Sequence, residues 1–329
     1  MRIGILGDGS MGCLFGTYLS QKNDVVIFGR NEVKSAELKL NGIYIEETCK
    51  NGETKHFNTM TATYSERFGQ FDLLILFAKS FAIDDILKSV SDKIGSKTFV
   101  LCLQNGAGHE KIIEKYVDRA RILLGTTQHG ATKLSDGKIK HTGEGITYVG
   151  YAYPEEAMQK NLEEREQNET ASEKGELFLM VMTLNFILCG IETKTSDNIR
   201  ETIWRKIFTN ASASTVTAIL QVPLDFIAKN KSATEITEKL IYEAVTVANA
   251  DGCNFEYALI REEVMNVSKK SKGGFTSIYS DTKNGCKTEV DAIAGFVLSK
   301  ARQLGIEVPY TEFAVAQVHA LEAKFQNQE

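Results

Sequence analysis

The sequence of 329 residues lacks several features that identify large classes of protein. It has no excess of positive charge, because 38 Lys and Arg residues are set against 43 Asp and Glu residues, for a formal net charge of −5. We therefore do not expect a nucleic-acid binder. Since no apolar run is long enough to cross a bilayer, we expect no membrane partner either. A small-molecule partner is the expectation that remains.

Cysteine and histidine are scarce and scattered. No two of the six cysteines form a C-x-x-C pair, which argues against a disulfide framework or a zinc site and favours reduced thiols in the cytoplasm. The start of the chain runs directly into a glycine-rich turn and is too short for a signal peptide. The five histidines show no metal-ligand spacing with the cysteines, so we expect no metal.

The length predicts two domains, which we place at residues 1–194 and 195–329. In the first, short apolar runs alternate with segments of helical period, which predicts an α/β domain of the Rossmann type with a mainly parallel sheet covered on both faces. The segment 154–175 is highly polar and predicts a solvated connection, followed by a buried helix over 177–188. An all-helical domain should follow. The expected strands are 3–6, 25–28, 42–45, 73–77, 99–103, 122–125 and 147–149, and the expected later helices are 198–219, 232–251, 255–268, 289–304 and 310–325, with Pro309 in a loop.

The first strand leads into Gly7-Asp8-Gly9-Ser10-Met11-Gly12, a G-x-G-x-x-G pattern that opens a helix. In this context the pattern predicts a dinucleotide site, with the pyrophosphate at the helix N-terminus. Ligands of open α/β sheets lie beyond the carboxyl ends of the strands. We therefore expect Gly7, residues 29–30, residues 78–79 and residues 104–105 to converge.

The end of the second strand bears on the choice of cofactor. It reads Ile27-Phe28-Gly29-Arg30, with no carboxylate at the tip to accept the ribose 2′-hydroxyl of NAD, and the guanidinium of Arg30 could hold a 2′-phosphate. This favours NADPH over NADH. An ordinary surface arginine is the alternative, and Lys79 is a second candidate contact.

A lysine is the candidate acid for reduction of a carbonyl. Lys206 and Asn210 are four residues apart on a predicted helix whose neighbours Trp204, Ile207 and Phe208 are apolar. Apolar surroundings disfavour the charged form of a lysine and make it a better acid. A lysine that extends its amino group into water is an equally good interpretation of the spacing.

A second polar region lies further along the chain. The stretch Gly273-Gly274-Phe275-Thr276-Ser277 precedes Thr288, a candidate helix cap, and Glu289. Taken alone, Glu289 would merely favour the positive end of a helix.

In this order along the chain, these segments closely resemble the ketopantoate reductase (2-dehydropantoate 2-reductase) family. The pieces that carry the resemblance are residues 7–12, Arg30, 78–79, 104–108, 125–127, 204–206 with Asn210, Ser277 and 288–295. The family implies an NADP-dependent oxidoreductase that reduces ketopantoate to (R)-pantoate for pantothenate and coenzyme A biosynthesis. A homodimer through the helical domain is one option that the sequence leaves open.

The resemblance also implies roles for individual residues. Lys206 would protonate the substrate oxygen, and Glu289 and Asn105 would contact both cofactor and substrate. The substrate carboxylate would bind the hydroxyl of Ser277 and the backbone N–H groups of the stretch that precedes it. Cofactor contacts are implied for Gly7, Asp8, Gly9, Ser10, Met11, Gly12, Arg30, Lys79, Asn105, Ala131 and Glu289, and substrate contacts for Lys206, Asn210, Ser214, Gly274, Phe275, Thr276 and Ser277.

The departures from the family lie on the substrate side. Ser214 stands where a second asparagine is common, and Leu224-Asp225 stands where Asn-Gly is common. Loss of two amides could shift the preference towards a less hydroxylated 2-oxo acid such as 2-oxoisovalerate. Two further alternatives are a non-enzymatic NADP-binding regulator and a dehydrogenase of hydroxy acids with a histidine base.

Overall fold

The computed structural model describes residues 1–49, 52–166 and 174–326 and separates into two units. The sheet unit comprises Met1–Gln104 and His109–Arg200, and the helical unit comprises Asn105–Gly108 and Glu201–Glu329. The division expected between residues 194 and 195 falls inside a strand of the sheet unit, Thr193–Thr195. Four residues from early in the chain thus belong with the helical unit.

The sheet unit contains a large sheet and a small one. The strands are β1 (Arg2–Leu6), β2 (Asp24–Gly29), β3 (Ile43–Glu47), β4 (Thr54–Phe57), β5 (Met60–Thr63), β6 (Leu73–Leu76), β7 (Phe99–Cys102), β8 (Ile122–Thr127), β9 (Gly130–Ser135), β10 (Lys138–Gly143), β11 (Thr147–Tyr151) and β12 (Thr193–Thr195).

The large sheet has the order β12-β11-β8-β7-β6-β1-β2-β5 and is parallel except between β8 and β11. Successive residues of β6 enter different cores: Leu73 and Ile75 pack into one cluster, and Leu74 and Leu76 into another. Strands of this kind are buried on both faces and read as continuous apolar runs. The predicted parallel sheet, covered on both faces, is therefore confirmed.

The small sheet, in the order β4-β3-β10-β9, was not foreseen apart from β3. Its strands β4 and β9 are polar and largely exposed, as Thr54–Phe57 and Gly130–Ser135 illustrate. Strand prediction depends on apolar residues that face a core, and these strands offer few of them.

The helices of the sheet unit are α1 (Ser10–Leu19), α2 (Glu32–Asn41), α3 (Ile83–Ser89), α4 (Glu110–Ile113), α5 (Pro154–Glu166) and α6 (Lys174–Leu188). Helix α5 replaces most of the connection predicted for 154–175, of which residues 167–173 lie outside the described part. The helix predicted at 177–188 is present as part of α6, but the prediction that it is buried is correct for one face only. Met182 and Phe186 are buried, but Met180, Leu184 and Leu188 on the opposite face are exposed.

The helical unit contains the end of α7 (Ile199–Thr209), a π-helical segment (Asn210–Ser214), α8 (Thr215–Leu220), α9 (Phe226–Lys229), α10 (Lys231–Ala250), α11 (Tyr257–Lys270), α12 (Ser277–Lys283), a 3₁₀ turn (Val290–Ala292), α13 (Ala294–Leu304) and α14 (Pro309–Gln326). Pro309, which we expected in a loop, is the first residue of α14, where its missing N–H is harmless. The buried Glu243 of α10 accepts the N–H groups of Tyr310 and Thr311 and so anchors that helix. Within the described residues, no helix is both long and apolar enough to cross a membrane.

Candidate active site

The glycine-rich loop, residues 7–12, connects β1 to α1 through close backbone contacts. Gly7 has a φ of +126°, which side chains rarely tolerate, and its N–H donates to the carbonyl of Phe28 at 3.0 Å. A Cβ on Gly12 would lie 1.8 Å from the carbonyl oxygen of Gly7. Two of the three glycines are therefore required by the way this turn packs.

Gly9 is different, because no described residue demands a glycine there. Its φ is −75°, and a Cβ would meet no atom within 4 Å. It stands at the N-cap of α1, ahead of backbone N–H groups that have no partner within the helix. The pyrophosphate that the sequence predicts in front of Gly9, held by these N–H groups, stays a prediction.

The strand ends of the sheet unit meet at one edge, as expected. A Cβ on Gly7 would lie 2.7 Å from the backbone nitrogen of Ala78, and the side-chain amide of Gln104 donates to the carbonyl of Ala78. Lys79, which follows, is half-buried at the start of a 3₁₀ turn. Ala131, another predicted cofactor contact, lies in β9 of the small sheet.

In the helical unit, Lys206 lies on α7, and Glu289 is the buried residue before the 3₁₀ turn. Burial of its amino group lowers the pKa of Lys206 from its ordinary value to about 8, and the negative charge of Glu289 opposes this shift. This burial does not favour the alternative in which Lys206 extends its amino group into water. A lysine of this kind, close to a carboxylate, is suited to donate a proton near neutral pH.

The π-helical segment begins at Asn210, one turn after Lys206. The Thr215 hydroxyl donates to the carbonyl of Asn210 at 2.9 Å, and the Ser214 hydroxyl donates to its side-chain oxygen at 3.4 Å. The extra residue in the turn brings Asn210 and Ser214 side by side. Segments of this kind occur often at functional sites, and the predicted uninterrupted helix over 198–219 missed it.

The segment Asn105–Gly108 packs within the helical unit. The N–H of Ala107 donates to the carbonyl of Ala292 at 3.0 Å, and a Cβ on Gly106 would lie 2.2 Å from that oxygen. The carbonyl of Ala292 is available for this hydrogen bond because no continuous helix runs through it. The helix predicted over 289–304 is interrupted at Ile293, whose φ and ψ are −105° and −89°. Asn105 therefore belongs to the same unit as Lys206 and Glu289.

The stretch predicted to hold the substrate carboxylate leads into α12. Thr276 caps this helix by accepting the N–H of Tyr279 at 3.3 Å, and Ser277 is its first residue. The N–H of Gly274 donates to the carbonyl of Ser271 at 2.9 Å, so this N–H does not serve a substrate as expected. The exposed Phe275 stacks on Tyr279, with ring centroids 4.4 Å apart.

Two family models match the chain in order. Ketopantoate reductase PanE/ApbA matches residues 3–153, and Ketopantoate reductase PanE/ApbA C terminal matches residues 198–322. The chain belongs to the ketopantoate reductase family. This family is one of oxidoreductases with a Rossmann-like fold, so the resemblance inferred from the sequence is confirmed.

Individual relatives extend over the whole chain. The chain is 30% identical to the 2-dehydropantoate 2-reductases of Streptococcus pyogenes serotype M18, over 325 residues, and of Lactococcus lactis subsp. lactis, over 328 residues. Each match covers 98% of both chains. The ternary structure of D-mandelate dehydrogenase with NADH and anilino(oxo)acetate is 27% identical, with a TM-score of 0.87 over 99% of this chain and 100% of that one.

One expectation about the cofactor side is wrong. The tip of β2 does carry a carboxylate, because Asp8 of the glycine-rich loop reaches over it. A Cβ on Gly29 would lie 2.6 Å from Oδ2 of Asp8. The sequence argument considered only the residues at the end of β2. It therefore missed a carboxylate that belongs to the loop after β1.

A buried polar chain in the sheet unit was also missed. The Tyr18 hydroxyl donates to Glu47, Glu47 lies 2.8 Å from Nδ1 of His141, and Nε2 of His141 lies 3.0 Å from Nδ1 of His129. Burial raises the pKa of Glu47, but the hydrogen bonds of Tyr18 and His141 outweigh it and hold that pKa below its usual value. The four residues come from four separate segments of the chain, so no local sequence pattern predicts that they meet.

Proposed function

We propose that the protein reduces 2-dehydropantoate to (R)-pantoate with NADPH, a step of pantothenate and coenzyme A biosynthesis. The observation that carries this proposal is Lys206, whose pKa is lowered to about 8 near the buried Glu289. The names of the relatives from Streptococcus and Lactococcus support the substrate. We further propose a cytoplasmic location, and the homodimer stays a prediction.

The glycine-rich loop is proposed to hold a nicotinamide dinucleotide. The N–H groups at the start of α1 would bind the pyrophosphate, and Arg30 would hold the 2′-phosphate. The bound cofactor would supply the hydride that goes to C2 of the substrate. D-mandelate dehydrogenase, whose structure contains NADH, supports a nicotinamide cofactor in this fold.

Lys206 is proposed to give its proton to the substrate oxygen as C2 is reduced, which completes the 2-hydroxy acid. With a pKa of about 8, roughly nine-tenths of the lysines carry this proton at pH 7. The carboxylate of Glu289 would hold the ammonium in place, and Asn105, in the same unit, would orient the substrate.

The substrate carboxylate is proposed to bind at the start of α12. The hydroxyl of Ser277 and the backbone N–H groups of the helix's first turn lie there, and such N–H groups favour anions. Gly274 would lie beside the carboxylate without donating to it, because its N–H group is already bonded to the carbonyl of Ser271.

A second candidate function is reduction of another 2-oxo acid, one that lacks the hydroxyl group of ketopantoate. Ser214 and Leu224 are both buried and stand where the family resemblance predicts amides. A site without those amides discriminates less in favour of a hydroxylated substrate. The similarity to D-mandelate dehydrogenase supports this alternative, because mandelate carries a phenyl group and no second hydroxyl.

The test of the activity compares wild type with Lys206→Ala by following oxidation of NADPH. We expect Lys206→Ala to lower kcat by about 10²- to 10⁴-fold, as loss of a general acid does. Arg205→Ala is the matched control, because Arg205 is its exposed neighbour and pairs with the exposed Glu263. It should stay within about twofold of wild type. A Lys206→Ala variant as active as the control would contradict the role of Lys206.

The test of the substrate compares ketopantoate, 2-oxoisovalerate, pyruvate and phenylglyoxylate under the same conditions. A lead of about tenfold or more for ketopantoate in kcat/KM supports the first proposal. A lead for phenylglyoxylate or 2-oxoisovalerate supports the second, and Ser214→Asn should then restore part of the turnover of ketopantoate. Binding of NADPH with no turnover of any substrate would favour a non-enzymatic regulator.

A further inference from the structure

The Asp8 carboxylate is held at the tip of β2 by an ion pair. Nζ of Lys34, on α2, lies 2.6 Å from Oδ2 of Asp8 and donates to its backbone carbonyl at 2.8 Å. The side chains of Asp8 and Lys34 are only 21% and 17% exposed. The pair is therefore largely shielded from water, and Nζ of Lys34 also lies 3.6 Å from Oδ1 of Asp136.

One oxygen of this carboxylate remains open to a ligand. Oδ2 is taken by Lys34, whereas no hydrogen bond reaches Oδ1 from any described residue. Carboxylates at the tip of β2 recognise the ribose of NAD by accepting its hydroxyl hydrogens. Asp8 therefore offers at this strand tip the group that the sequence of β2 itself lacks.

Arg30 directly follows Gly29 at the same strand tip and carries the opposite charge. It lines a cavity of about 480 Å³ together with Glu32, Tyr64 and Asp85. Burial raises the pKa of Tyr64, and the charge of Asp8 adds to this shift while that of Arg30 opposes it. The charges of Asp8 and Arg30 therefore both act on the Tyr64 hydroxyl. The cavity itself is lined by one guanidinium, that of Arg30, and by two carboxylates, those of Glu32 and Asp85, so it has no excess of positive charge.

We infer that Asp8 is a second determinant of cofactor choice and that its pair with Lys34 lets the site accept either NADH or NADPH. Oδ1 of Asp8 would accept a ribose hydroxyl of NADH. A 2′-phosphate would instead draw on Arg30 and Lys34, with Lys34 also screening Asp8. This inference rests on the proposed function, since it requires that the glycine-rich loop binds a nicotinamide dinucleotide.

The experiment measures kcat/KM and Kd for NADPH and for NADH with the full chain. Asp8→Asn keeps the shape of the side chain and removes its charge, and should raise the preference for NADPH over NADH by about tenfold or more. Lys34→Met leaves Asp8 without its counter-charge and should shift the preference in the opposite direction. Asp84→Asn is the control, because this exposed carboxylate pairs with Lys115 and gives the same change in net charge.

The outcomes separate the inference from the proposed function. If wild type binds neither dinucleotide saturably, the proposed function fails. If wild type binds but the preference stays within about twofold in both variants, or moves equally in Asp84→Asn, only the inference is overturned. Circular dichroism checks the fold of each variant, and if Asp8→Asn does not fold, the direction of the Lys34→Met shift decides.

Discussion

The candidate groups of the two units are built in different ways. In the sheet unit, the glycine-rich loop is shaped by backbone atoms: the carbonyl of Gly7 leaves no room for a side chain on Gly12. In the helical unit, the candidate groups are side chains, with Lys206, Asn210 and Glu289 carried by helices and a 3₁₀ turn. A backbone site follows from a short motif, whereas a side-chain site depends on how separate helices pack.

The difference also affects the proposed behaviour of each unit with pH. The glycine-rich loop offers N–H groups that do not titrate, so its proposed binding of a pyrophosphate should vary little with pH. The helical unit relies on a lysine whose pKa is lowered to about 8, and its proposed chemistry should vary strongly with pH. Three experiments test this contrast, and they are ordered by the size of the expected effect.

The largest effect should come from glycines of the loop. Gly12→Ala places a Cβ 1.8 Å from a backbone oxygen that cannot rotate away, and should destabilise the protein by about 3 kcal/mol or prevent folding. Gly9→Ala meets no atom within 4 Å and should leave the melting temperature unchanged. Thermal unfolding measured by circular dichroism checks both.

Gly9→Ala should nevertheless weaken binding of the dinucleotide by about tenfold or more, since its Cβ enters the proposed pyrophosphate space. A titration of nicotinamide fluorescence measures the affinity. A folded Gly9→Ala variant that binds as tightly as wild type would show that the open space has another cause. Gly12→Ala with wild-type stability would contradict the backbone account of the loop.

The buried polar chain tests whether side chains also matter to the sheet unit. Glu47→Gln disturbs a buried carboxylate next to His141 and should lower the free energy of unfolding by about 2 to 4 kcal/mol at pH 7. Tyr18→Phe removes one hydrogen bond and should cost about 1 to 3 kcal/mol. Urea unfolding gives both values.

The pH dependence of this stability has a definite sign. The pKa of Glu47 is lowered in the folded protein, so its contribution is present above the ordinary carboxyl pKa of about 4.3 and is lost as the pH falls through the lower, folded value. The difference between wild type and Glu47→Gln should therefore shrink in acid. A constant difference across this range would contradict the ionised state of Glu47.

The smallest effect concerns the pH profile of the chemistry proposed for the helical unit. The proposed reduction needs Lys206 with its proton, so kcat/KM should fall above pH 8 by about tenfold per unit. Glu289 raises the pKa of Lys206, so Glu289→Gln should move the midpoint to lower pH by less than about one unit. A midpoint that moves upwards, or a flat profile to pH 10 or so, would remove Lys206 from the role of acid.

Prediction from sequence succeeded where local pattern and burial coincide. Strands such as Leu73–Leu76 are continuous apolar runs, and the glycine-rich loop has its strand and helix on either side. The prediction of burial for 177–188 is correct for one face only, because the apolar residues Met180 and Leu184 are exposed. An apolar composition indicates that at least one face of a helix packs against the core, but it does not show that both faces are buried.

The sequence by itself determined the family and most strands of the large sheet, and it named the candidate groups for chemistry. Only the tertiary structure decided which of them meet. It carries Asp8 onto the tip of β2, and it assigns Asn105 to the same unit as Lys206 and Glu289. The physical reason is that a motif records neighbours along the chain, whereas charge and hydrogen bonding act across a few ångströms of space whatever the separation in sequence.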